Sequence, residues 1–208
     1  MRRVLLAAIV VVVAIAPGAA QMDTQRFKPL TPETMTPDQK AVADKIMTGP
    51  RKGMRGPFSA LLRSPELADS AQKVGEYVRF KTSIPPRLNE LAILLTARHW
   101  TAQYEWYAHH RLAMQAGLSA DVAAAIAQGK RPAAMGAEET IVYDFCHEVL
   151  DTGQASDASF KAVVEKFGER GAIDLIGVMG YYSLVAMVLN VDRVPIPEGG
   201  KAPLASLK

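Results

Sequence analysis

Apolar residues recur along this chain at spacings of three and four, and nowhere do they alternate with polar ones over the length of a strand. That pattern predicts helices throughout. Thr36-Pro37-Asp38-Gln39 reads as a capping box with proline at the first helical position, opening a helix that runs to about Thr48. A short apolar segment follows at residues 58–62. Ser64-Pro65 opens a helix ending near Lys81, with Leu67, Ala71, Val74 and Val78 as its expected buried stripe. Ile84-Pro85-Pro86 fixes a tight entry into a central stretch, residues 88–117. After Gly117, Ser119 opens a short helix closed by Gly129 and Pro132. Another helix spans about 137–151, with Ile141, Phe145 and Leu150 in its core. Ser156 caps the next, whose Phe160, Val163, Val164 and Phe167 are expected to face inward. Residues 172–191 are apolar nearly all round, as in a helix buried within the domain or in a subunit contact; Asp174, two tyrosines and Asn190 argue against a membrane span. The prediction is an all-α single domain of about seven helices around a central helical hairpin. Residues 21–35 and the tail from Val194 are expected to be arms.

The central stretch, LNELAILLTARHWTAQYEWYAHHRLAMQAG, carries the candidate chemistry. Glu90 shares a face with Ile93, Leu94 and Ala97. Beyond a bend near residues 100–102, Ala102, Glu105, His109, Leu112, Ala113 and Ala116 share another. Two carboxylates and an imidazole thus stand where apolar residues belong, and burying them without partners is costly. Glu105 and His109 are four apart and therefore neighbours; a carboxylate beside an imidazole fixes its tautomer and equips it to carry protons near neutral pH. If the two helices fold back as a hairpin, Glu90 reaches His109 from the other side. The same residues could instead form a buried structural network pinning two helices. A metal site built on Glu90, Glu105 and His109, with His99 or His110, lacks any HExxH motif or cysteine pair to support it. His99, His110 and His147 singly read as surface or partly buried residues, and Trp100 and Trp106 as core or interface residues.

Composition narrows the setting. At 208 residues with 49% apolar and 22% charged content, the chain suits one domain with a full core. Met1-Arg2-Arg3, thirteen apolar residues from Val4 to Ala16 and the small residues before Gln21 read as a signal peptide over residues 1–20. Removing Arg2 and Arg3 with it lowers the formal net charge from +3 to +1. No basic run is present, so a nucleic-acid partner is not expected. The expectation is an exported, periplasmic protein with no stable membrane insertion after the signal is removed. The single cysteine, Cys146, allows no intrachain disulfide and reads as a buried hydrophobe. The loop at residues 49–57 carries Arg51, Lys52 and Arg55 among glycines and prolines; it reads either as a flexible surface loop or as a lid bearing cations for an anionic substrate.

The run RLNELAILLTARHWTAQYEWYAHHRLAMQAGLS, with the later run from Thr140 to Val191, resembles the carboxymuconolactone decarboxylase family, related to the alkylhydroperoxidase D-like proteins. The resemblance covers roughly residues 58–195, with 21–57 and 196–208 flanking it. It implies an all-α, AhpD-like fold that self-associates as trimers or hexamers. In peroxidase members the motif is a glutamate, then Cys-x-x-Cys, then a histidine four residues on. Glu90 and His109 match the glutamate and the histidine, while the cysteine positions fall on Ala102 and Glu105. A dithiol cycle therefore has no thiols to run on. The form Glu90, Glu105, Trp106, His109 instead resembles the decarboxylase branch.

That resemblance implies a cofactor-independent lyase or isomerase acting on a small carboxylated lactone or keto acid. His109 would be the proton donor, Glu105 its partner and Glu90 the second carboxylate. Arg87, Arg98 and Trp106 would contact substrate, and neither a metal nor an organic cofactor is required. Competing readings are a non-catalytic ligand-binding or structural oligomer and, on the same fold, a thiol peroxidase.

Overall fold

The computed structural model describes residues 25–197 and 203–206; the signal segment expected at residues 1–20 lies outside the described residues. Among the described residues there are eight helices and no strand. In chain order they are α1 (Pro37–Thr48), α2 (Phe58–Leu61), α3 (Pro65–Phe80), α4 (Pro86–His99), α5 (Gln103–Gln115), α6 (Ala120–Ala127), α7 (Ala137–Thr152) and α8 (Asp157–Asp192). The all-α, single-domain expectation holds.

Local signals account for the helix ends. Both halves of the capping box are made at α1: Gln39 N–H donates to the Thr36 hydroxyl (3.3 Å), and Thr36 N–H to Gln39 Oε1 (2.9 Å). Ser119 and Ser156 cap α6 and α8 with their hydroxyls. Proline opens α3 and α4, where a missing N–H costs nothing.

α4 is the axis. Every residue from Leu88 to Arg98 is buried, because α5, α6, α7 and α8 all pack against it. A helix enclosed on all sides needs apolar residues on all sides, and LAILLTA supplies them. α5 doubles back at a corner where Thr101 takes a left-handed conformation (φ 49°). Such a conformation is unfavourable for a β-branched residue; Arg98 Nη2 holds it by donating to Thr101 Oγ1 (3.2 Å). The hairpin predicted for the central stretch is thereby formed.

Two expectations about buried faces need correction. On α3, Leu67 and Val74 are about half exposed, and the buried side is Ala68, Ala71, Gly75 and Val78, one position round. The smaller residues face inward because α8 lies close and sets Tyr181 against the helix backbone at Gly75. On α8, Phe160 is 50% exposed; Ser159 turns inward instead, its hydroxyl bonded to Glu148 (2.5 Å), and this rotates Phe160 out. The two helices expected on either side of residue 168 meet at a kink within α8, where Gly168 has a non-helical φ of 73° and ψ of 171° that suit glycine alone.

The arms are anchored where described. Asp192, fully buried, accepts from Phe27 N–H (2.7 Å) and from Gln25 Nε2 (2.7 Å). Near the C-terminus, Leu204 is buried and exchanges two hydrogen bonds with the Gln103 side chain, and Arg98 donates to Ala205 O (2.9 Å). This part of the tail docks on the α4–α5 corner rather than trailing as an arm. α8 is long and apolar enough to cross a membrane by length and composition, but 56% of its most apolar window is buried within the fold.

Candidate active site

The α4–α5 hairpin brings Glu90 across to His109: Oε2 and Nδ1 are 2.8 Å apart, both residues less than a tenth exposed. A carboxylate can only accept, so the Nδ1 proton is donated to Glu90 and Nε2 is the ring nitrogen left to exchange a proton with a third group. The imidazole stands edge-on against the Tyr182 ring (centroids 4.8 Å), and Tyr182 in turn against Tyr181 (5.2 Å). α8 therefore supplies a third wall.

Glu105, one turn before His109, does not join this pair. It is 1% exposed, and neither carboxyl oxygen has a hydrogen-bond partner or access to solvent. Helical neighbours lie side by side, but the His109 ring is turned across the hairpin to Glu90, which leaves Glu105 alone. Burial pushes its carboxyl well above the ordinary range, because nothing nearby compensates an anion. Its environment therefore favours the protonated form over the anion. The buried Tyr182 hydroxyl is also without a partner, and burial drives its pKa far up.

The loop between α1 and α2 adds a cation. Arg51 Nη2 donates to the Tyr181 hydroxyl (3.3 Å), and the guanidinium lies over the Phe58 ring (5.1 Å to the centroid). Burial raises the Tyr181 pKa, with Arg51 and Arg79 opposing it and Glu105 adding to it, so all three lie within electrostatic reach of that phenol. Gly75 makes this packing possible: a Cβ there would overlap the Tyr181 hydroxyl and the Arg51 guanidinium.

The other sequence-predicted residues sit elsewhere. Arg87 is held by Glu139 and, at 3.7 Å, by Glu138 at the start of α7. Arg98 is spent on the Ala127 and Ala205 carbonyls and Thr101. Trp106 is buried and stacks on His110, lining a hollow of about 420 Å³ with Tyr107 and Arg111 that does not reach Glu105 or His109. His99 faces Asp151 (3.8 Å), so neither it nor His110 joins the glutamates. Among the described residues no group of three or more His, Cys, Asp or Glu side chains is arranged to hold a metal ion. Cys146 is fully buried, and burial pushes its thiol far up, away from the reactive thiolate.

The sequence reading passed over Tyr181, Tyr182, Arg79 and Gly75. Two adjacent tyrosines in an otherwise apolar helix were the available signal, since a buried hydroxyl asks for a partner. Gly75 in the middle of an amphipathic helix was a second, because glycine there weakens the helix unless something approaches closely.

No family model and no curated protein matches the chain. Among solved structures, it is similar to a protein from Ralstonia eutropha JMP134 described as an alkylhydroperoxidase AhpD core, an uncharacterized peroxidase-related protein. The two share 15% identity, with 85% of this chain and 94% of that one covered at a TM-score of 0.68. At that identity the likeness concerns architecture: the chain has an AhpD-like all-α fold.

Proposed function

We propose that this protein is a cofactor-independent acid/base catalyst, a carboxy-lyase or isomerase acting on a small carboxylated lactone or keto acid. One observation carries the reading: both carboxyl oxygens of Glu105 are buried without any hydrogen-bond partner, one helical turn from the His109 that pairs with Glu90. Each unpaired buried polar atom costs about 1–3 kcal/mol, a cost the fold bears without structural return. Carboxyl groups whose environments differ this much divide into acid and base roles.

In a decarboxylation the bond from carbon to the leaving carboxylate breaks, CO2 departs, and its electron pair runs into the conjugated carbonyl. Glu105, as the neutral acid, donates to that developing oxyanion or to the carbanionic carbon. The product gains one proton, which solvent restores to the enzyme through His109. Glu90 holds the imidazole and stabilises its charged form. These roles exchange those the resemblance implies: Glu105 becomes the donor and His109 the relay, with Glu90 as its partner. In an isomerisation the same acid and relay shift a proton between carbons.

A thiol peroxidase is disfavoured by the chain's own residues, since Ala102 and Glu105 stand at the aligned cysteine positions and Cys146 is buried and protonated. The non-catalytic reading draws support from the near-complete enclosure of Glu90 and His109. Export to the periplasm remains part of the proposal, supported by residues 1–20. Self-association as a trimer or hexamer is proposed from the exposed Leu67 and Val74 on α3 and Ile173 and Ile176 on α8. Light scattering reads that directly.

Turnover on a panel of carboxylated lactones and β-keto acids tests the chemistry, comparing wild type with His109→Ala and Glu105→Gln. Wild-type turnover lost in both variants is the expected result. No turnover of any compound by folded wild-type protein would sink the enzyme reading for that panel.

A further inference from the structure

Helices α5 and α6 leave the space between them unfilled: this is the hollow of about 420 Å³ beside Trp106, a volume that suits a small organic molecule. It is open because α6 lines it with Ala120, Ala123, Ala124 and Ala127 alone, one helical face at spacings of three and four. A helix that packs directly on its neighbour carries larger apolar side chains on that face; methyl groups leave room instead. Neither Glu105 nor His109 is part of the lining.

The walls give the space a chemical direction. On the α5 side the buried Trp106 indole lies nearly parallel to the His110 imidazole (centroids 6.1 Å, planes 26° apart), and Tyr107 beside them is 44% exposed. Flat rings of this kind favour a flat apolar ligand body. The charge on the walls is of one sign. Arg111 lines the hollow, its guanidinium bonded among the described residues only to the neutral Gln115 side chain (3.2 Å), and the lining contains no aspartate or glutamate. A guanidinium without an acid partner beside an apolar wall favours an anionic group. Pro203 from the C-terminal tail forms the remaining wall. It is held there because the next residue, Leu204, is buried and exchanges hydrogen bonds of 2.7 and 2.9 Å with the Gln103 side chain. Three segments far apart in the chain thus build one site.

We propose that the α5–α6 hollow is a binding site for a small aromatic acid. The ring of the ligand lies against Trp106 and Tyr107 over the alanine face, and its carboxylate pairs with Arg111. The hollow is separate from the Glu90–His109 pair, so the proposal does not rest on the acid/base reading.

Calorimetric titration of the full chain at low salt tests this with 1-naphthoate against the uncharged 1-naphthalenemethanol. Wild type is expected to bind the acid about 5-fold more tightly than the alcohol. Arg111→Gln brings the acid down to the level of the alcohol and leaves the alcohol unchanged. Ala124→Leu places a side chain into the hollow from an exposed position on α6 and weakens both ligands about 10-fold or more. Glu105→Gln leaves both affinities as they are. Equal binding of acid and alcohol by wild type overturns the proposal, and that ratio decides the matter even where a variant fails to fold. Acid binding unaffected by Ala124→Leu, or lost in Glu105→Gln, overturns it as well, by placing the ligand elsewhere. A hollow that instead belongs to a contact between copies shows as a changed mass of Ala124→Leu by light scattering, with no acid preference in wild type.

Discussion

Asp174 and Glu105 are both almost fully buried carboxyl residues on helices that pack in the same core, yet their surroundings are opposite. Asp174, on α8, accepts from the Ser83 N–H (2.7 Å), the Ser83 hydroxyl (2.7 Å) and the Tyr77 hydroxyl (2.8 Å). Burial pushes its carboxyl up, but these hydrogen bonds outweigh burial and hold it below its ordinary value. Glu105 has no such donors, so burial alone acts and pushes its carboxyl up. Burial by itself therefore does not distinguish a structural acid from a chemical one; the donors around it do. Asp174 ties α8 to α3 and to the entry of α4. Glu105 ties nothing together.

The largest expected effect breaks the comparison on the Glu105 side. Glu105→Gln removes the transferable proton while keeping shape, and turnover should fall about 10²- to 10⁴-fold with the fold intact. Steady-state rates beside a circular dichroism melt check both halves of that statement. The reverse is expected at the other acid. Asp174→Ala leaves the Ser83 and Tyr77 donors unpaired and should destabilise the protein by about 2–4 kcal/mol, read as a lower urea midpoint.

Acidity sharpens the contrast further, because the two groups have opposite signs. The folded pKa of Asp174 is lowered, so its contribution is present above the unfolded value of about 3.9 and is lost as pH falls through the folded one. The folded pKa of Glu105 is raised, so the unfolded chain releases that proton first. Its burden on stability grows as pH rises from about 4.3 toward the folded value. Urea midpoints from acid to neutral pH should show Glu105→Gln gaining on wild type as pH rises, and a parallel pair of curves would contradict a neutral Glu105. The smallest effect is at a third buried titratable group. Cys146 is fully buried as well, but a thiol tolerates apolar surroundings, so Cys146→Ala should cost about 1 kcal/mol and leave turnover unchanged.

Much of the fold could be read before any coordinates. Helix starts at Thr36, Ser119 and Ser156 follow from short-range capping, which depends only on neighbours in sequence. The burial of Glu90, Glu105 and His109 follows from their place on apolar stripes. The α3 stripe was misjudged because Leu67 and Val74 are the larger side chains, whereas the approach of Tyr181 selects the smaller Gly75 side. Phe160 was misjudged because the Ser159–Glu148 bond links two helices and leaves no periodic trace.

What the sequence determined by itself is the all-α architecture, its helix boundaries and the three polar residues in the central hairpin, since all of these rest on periodicity and local capping. Which carboxylate holds His109 was open, because Glu105 is its neighbour along the helix and Glu90 its neighbour across the corner. Only the tertiary structure chose Glu90, by turning the imidazole across the hairpin, and so left Glu105 without a partner, its carboxyl pushed up by burial. It also brought Arg51 from a distant loop to Tyr181 at the one position in α3 that has no side chain. Spacing along a chain fixes which residues can share a helix face, but a pKa and a buried contact between distant segments depend on what other helices and loops place beside them.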